Sequence, residues 1–201
     1  MPTRIAKIAR TTRETDIRLT LNLDGKGKSK IKTTIGFLDH MLESFAKHGL
    51  FDLTITATGD THIDQHHLVE DIGIVLGEAV AQALGDKKGI YRAGFWHGAY
   101  LMPMDETLAI AAVDLSGRSH LNFRVRFVTP LVGTLATDVI GEFFEGFTQG
   151  ARANLYLETK EARSEHHKVE ALYKAFARAL RMAVEKDARN ANVVPSTKGK
   201  L

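Results

Sequence analysis

HHLVE at residues 66–70 returns as HHKVE at residues 166–170, exactly the same frame 100 positions later. Working outward from the first copy, residues 66–84 keep a helical apolar period and close on Gly85-Asp86. Ahead of it stand the turn Gly59-Asp60, a strand over 51–58, a helix over 37–48 with Phe37, Met41, Leu42 and Phe45 on one face, and strands over 29–34 and 16–23. The second copy has the same surroundings. Strands are expected over 100–104, 107–115 and 119–127, and a helix over 138–151 with Thr137 or Asp138 as N-cap. A strand over 154–159 and a helix from 165 to 186 complete it. Each half reads strands, helix, strand, helix, so the chain is expected to be one domain built by internal duplication. The repeats run approximately 3–90 and 91–186, with a tail over 187–201. Consecutive strands before a helix favour an α+β fold with mostly antiparallel sheets packed against helices.

The motif itself points to metal. Residues i and i+4 share a helix face, which pairs His66 with Glu70 and His166 with Glu170. His67 and His167 point about 100° away on a 3.6-residue helix, so one turn cannot bring all three groups to one ion. Two ions solve this, with the outer histidine of each motif crossing to the opposite ion. His40, 27 residues before His67, and Glu142, 25 residues before His167, offer one further ligand per half. The chain contains no Cys, so ligands are imidazole and carboxylate, a set suited to borderline divalent metals, with a lean toward manganese. His48, His62, His97 and His120 lack repeat support and read as surface or packing residues.

Composition narrows the classes. With 44% hydrophobic and 25% charged residues the chain is globular. Its apolar runs are too short to span a bilayer, and the absence of cysteine suits a cytoplasmic location. The formal charge is +3, but Lys and Arg are scattered rather than striped, which argues against nucleic acid. An RNA-binding protein and a di-metal hydrolase with a bridging hydroxide are the two alternatives.

GFLDHMLESFAKHGLFDL (36–53), GDTHIDQHHLVEDIGIVLGEAV (59–80), PMDETL (103–108), VDLSGR (113–118), HHKVEALYKAFARALR (166–181) and VPSTKG (194–199) together resemble the imidazoleglycerol-phosphate dehydratases. The resemblance runs in order over nearly the whole chain. It implies two similar α/β halves of the ribosomal protein S5 domain 2-like kind. It also implies a di-manganese site at subunit contacts and a homo-oligomer of 24 subunits built from trimers. The implied reaction dehydrates imidazoleglycerol phosphate to imidazole acetol phosphate in histidine biosynthesis. A metal-held imidazolate and a diazafulvene-like intermediate would carry it.

Carried over by residue, the ligands fall on His40, His66, His67, Glu70, His166, His167 and Glu170. At Glu142 many members have His, and at Ser119 the family usually has Pro. Glu14, in RTTRETDI (10–17), is the first candidate for acid–base work beside His67, His167 and Glu170, with Asp105 and Glu106 as weaker ones. Arg92 and Arg118 match phosphate-site positions. Lys174, a further cation for the phosphate, shares the metal face of its helix at i+4 from Glu170. Ser196, Thr197 and Lys198 would close over the substrate phosphate from the tail.

Overall fold

A computed structural model describes residues 4–93, 98–160 and 162–201. Strand β2 (Thr15–Asn22) buries Ile17, Leu19 and Leu21 on one face, and β4 (Asp52–Gly59) buries Leu53, Ile55 and Ala57 on the same face. They run antiparallel, with Leu19 beside Ile55 and Leu21 beside Leu53, so apolar cross-strand pairs fix the register. Strand β1 (Ile5–Thr11) pairs antiparallel with the other edge of β2. Strand β3 (Ser29–Lys32) lies parallel to β4, as it must when helix α1 (Gly36–Gly49) carries the chain between them. The order is β1-β2-β4-β3, and helix α2 (His66–Leu84) follows.

The second half repeats this plan. Strands β5 (Ala99–Met104), β6 (Thr107–Asp114) and β7 (His120–Arg124) come first. A small hairpin of β8 (Leu131–Val132) and β9 (Leu135–Ala136) precedes helix α3 (Val139–Ala151). Strand β10 (Asn154–Lys160) and helix α4 (Glu165–Val184) end the half. The sheet order is β5-β6-β10-β7, the same pattern as in the first half, with β7 parallel to β10 and the other pairings antiparallel. The expected α+β fold with mostly antiparallel sheets is therefore what the chain forms.

Some elements differ from expectation. Strand β1 went unread because it is an edge strand with only Ala6 fully buried, and Lys7 and Arg10 interrupt its apolar pattern. The strand expected over 119–127 stops at Arg124. The Asp138 side chain makes no cap bond; Thr137 instead donates its hydroxyl to the Thr129 carbonyl at 2.7 Å, tying off the hairpin.

Helices α1 and α2 lie on the first sheet, α3 and α4 on the second, and the two helix layers pack on each other across the halves: α1 on α4 and α2 on α3. The α2–α3 approach depends on glycine. A Cβ on Gly73 would lie 2.1 Å from the Phe143 carbonyl oxygen, and one on Gly77 2.4 Å from that of Phe147. On the facing helix, Gly146 and Gly150 abut the Glu70 and Ile74 carbonyls in the same way. Both helices carry glycines four apart, so their backbones touch over two turns and run in the same direction. Where α1 meets α4, the rings of Phe45 and Phe176 stack at 5.3 Å instead. Among the described residues no helix is long and apolar enough to cross a membrane.

Candidate metal centre

Because α1 pairs with α4, His40 of the first half stands beside the second motif. Its Nε2 is 3.7 Å from Glu170 Oε2, and the His166 Nε2 reaches the same oxygen at 3.1 Å. His40, His166 and Glu170 each turn one ligand atom inward, all within 4.8 Å of one another. Ligand atoms around one ion with bonds of about 2.1 Å stand roughly 3–4 Å apart, so the cluster needs little closure. Burial alone would raise the Glu170 carboxyl, but Lys174 at 2.7 Å, with His166 and His40, holds it below the ordinary range. Lys174 thus lies on the metal face, where the i+4 spacing put it.

The first motif is laid out in the same way. His66 Nε2 faces Glu70 Oε2 at 3.7 Å. Asp64 accepts from the His66 backbone N–H at 2.8 Å and orders the helix start. Glu142 lies in the first turn of α3, one turn before Gly146, which abuts the Glu70 backbone. Among the described residues the Glu142 carboxylate has no ion pair or side-chain hydrogen bond, so it sits beside α2 without closing a three-group cluster.

The outer histidines go elsewhere within the chain. His67 Nδ1 meets Asp60 Oδ2 at 3.0 Å and Glu14 Oε2 at 4.0 Å. His167 Nδ1 meets Glu106 Oε2 at 3.0 Å, and its Nε2 is 3.6 Å from Asp105 Oδ2. Neither outer ring joins the opposite motif's cluster inside one chain. The Asp60 and Glu106 carboxylates raise the His67 and His167 pKa values. Glu106 itself is pulled down to about 2, first by the Ser164 N–H and then by His167. Ser164 in turn caps α4, accepting from the His167 N–H at 3.3 Å. Asp71 anchors α2 under the β1–β2 turn that carries Glu14, accepting from Thr15 Oγ1 at 2.6 Å and Arg10 Nε at 2.9 Å.

The phosphate candidates other than Lys174 gather at the other end of the molecule. The Arg92 N–H donates to the Ala183 carbonyl near the end of α4. Its guanidinium grips Asp114 at 2.7 and 3.1 Å and donates to the Pro195 carbonyl at 2.8 Å. Arg92 therefore holds the tail in place, with its charge already engaged. Arg118 is exposed, and a Cβ on neighbouring Gly117 would lie 2.6 Å from Leu201, so the tail bearing Ser196, Thr197 and Lys198 lies against this end. Ser196 Oγ accepts from the Lys198 N–H at 3.2 Å. From His166 to Ala183 a helix rises about 25 Å. The metal cluster and this end of one chain are too far apart to share a small substrate.

The donor set fits a borderline divalent cation: imidazole nitrogens, carboxylate oxygens and no thiolate. Asp60 Oδ1 is buried with no hydrogen-bond partner, a rare state for a carboxylate away from a functional position. His62 and His120 are exposed and His48 is half-buried, and none joins a cluster among the described residues. His97 lies outside the described residues. Asp60 is the site residue that sequence reasoning missed, since an Asp after Gly59 reads as ordinary turn chemistry.

Comparison with known proteins gives a consistent result. The family described as imidazoleglycerol-phosphate dehydratase matches residues 33–180. A protein of that name from Koribacter versatilis is 56% identical over 198 residues, covering 98% of this chain and 100% of its own length. One from Granulibacter bethesdensis is 56% identical over 199 residues, covering 99% and 100%. The crystal structure of the Staphylococcus aureus enzyme superposes with a TM-score of 0.80 at 37% identity, covering 91% of this chain and 99% of that one. The Pyrococcus furiosus structure, in complex with (S)-C348, gives 0.82 at 38%, covering 96% and 100%.

Proposed function

This chain belongs to the imidazoleglycerol-phosphate dehydratase family, and from that premise we infer that its duplicated motif holds two divalent cations between copies of the chain. It is a hydro-lyase of histidine biosynthesis, dehydrating imidazoleglycerol phosphate to imidazole acetol phosphate. The hydrolase and RNA-binding alternatives find no support in these relatives.

One centre takes His40, His166 and Glu170; the other takes His66 and Glu70, with Glu142 beside them. His67 and His167 complete the centres of neighbouring copies. When bound, two divalent cations would stabilise negative charge on the substrate's imidazole ring and so supply the electron push that a non-acidic C–H lacks; the carboxylate oxygens and octahedral openness of the donor set lean toward manganese. Glu14 is 54% exposed in its side chain and free to move a proton at the substrate diol. Lys174 keeps Glu170 ionised and ready to ligate. Arg92, Arg118, Lys174, Ser196, Thr197 and Lys198 bind the phosphate, and Arg92 also fixes the tail through the Pro195 carbonyl.

The single observation that carries the composite site is the separation of about 25 Å between the cluster and the phosphate end within one chain. A substrate with a three-carbon arm meets both only where copies adjoin. That supports a site shared between copies in a homo-oligomer; an assembly of 24 subunits built from trimers would provide such contacts. Chelation is expected to abolish turnover, and Mn²⁺ add-back to restore it with two ions per chain. Full turnover by metal-free protein would refute the reading.

A further inference from the structure

The five histidines near the motifs orient in two ways. His40, His66 and His166 turn Nε2 toward a glutamate, at 3.7, 3.7 and 3.1 Å. His67 and His167 turn Nδ1 to a carboxylate at 3.0 Å in both halves. The partners are not equivalent positions: Asp60 follows β4, whereas Glu106 sits in the β5–β6 turn. The same ring nitrogen is therefore captured twice by unrelated means. Both partners are sheltered, with side chains 14% and 23% exposed, whereas Glu14 and Asp105, the other carboxylates near these rings, are 54% and 71% exposed.

We propose that Asp60 and Glu106 are positioning residues: each accepts the Nδ1–H of the outer histidine, His67 or His167, and so presents Nε2 as the one lone pair left for a cation. A neutral imidazole has one donor and one acceptor nitrogen, and the bond on one side decides which nitrogen can ligate. Asp60 supplies the sharper case. Its Oδ1 is buried without a partner, so its place owes little to stability. Glu106 has a second task, since its Oε1 accepts from the Arg163 and Ser164 N–H groups at 3.2 and 2.9 Å. This inference rests on the two-ion reading and deepens it.

The test is a Mn²⁺ titration of the full-length assembly, with free Mn²⁺ read by electron paramagnetic resonance, alongside melting of the metal-free protein. Asp60→Ala is expected to weaken Mn²⁺ binding about 10–100-fold at the centres that His67 completes, with the metal-free melting temperature unchanged. Asp60→Asn and Glu106→Gln keep an acceptor for Nδ1–H and are expected to bind Mn²⁺ nearly as the parent protein does. A titration of Asp60→Ala that overlays the parent's would overturn the assignment. So would Asp60→Asn binding as weakly as Asp60→Ala, because charge rather than tautomer would then be what matters. A parent protein that binds no Mn²⁺ would defeat the two-ion reading as well.

Discussion

His67→Ala and His167→Ala are each expected to lower turnover about a thousandfold at saturating Mn²⁺, equivalent to roughly 4 kcal/mol of transition-state stabilisation. The rings are 37% and 32% exposed, so their removal buries no new void and leaves the core intact. Their stability cost is expected to stay below about 1 kcal/mol. That contrast separates a ligand from a packing residue. Turnover and thermal melting on the same preparation check it, and either variant working at near-normal rate would remove the outer histidines from the metal centres.

The largest effect on stability is expected from Gly73→Ala. A methyl there would sit 2.1 Å from the Phe143 carbonyl oxygen and 3.0 Å from its carbon. Both are backbone atoms and cannot rotate away. Alanine would add about 0.5–1 kcal/mol of helix propensity, but overpacking a rigid contact costs about 1–3 kcal/mol or more. Here the clash wins, because α2 and α3 must part along their most extensive helix–helix contact. A net loss of about 2 kcal/mol or more is expected from the denaturant midpoint, and the parting would also shift Glu142 away from Glu70. Gly36→Ala is the matched control, since a Cβ at Gly36 meets nothing within 4 Å. Equal midpoints for the two variants would show that the helices tolerate separation.

Much of this architecture was legible in the residues. Helix α2 was read at 66–84 and forms at His66–Leu84, because its apolar period is strong and Gly85 stops it with a positive φ of 58°. The two halves were legible from the repeated motif. Partner choice between helices was not, because periodicity reports which face is buried and not what covers it. So the meeting of His40 with His166 and Glu170 came only from the α1–α4 pairing. The glycines of GIVLG (73–77) and GFTQG (146–150) share one spacing and could have signalled the α2–α3 contact. Arg92 shows another limit: its contacts with Asp114 and the Pro195 carbonyl join parts of the chain that no local pattern brings together.

The most direct measurement mixes two inactive variants. His166→Ala removes a ligand at one end of the chain and Arg118→Ala a cation at the other. Co-assembled in equal amounts from unfolded or co-expressed chains, they are expected to regain activity at about a quarter of the sites, those where an intact cluster meets an intact phosphate end from another copy. Mixed assemblies as inactive as either parent variant would contradict a site shared between copies.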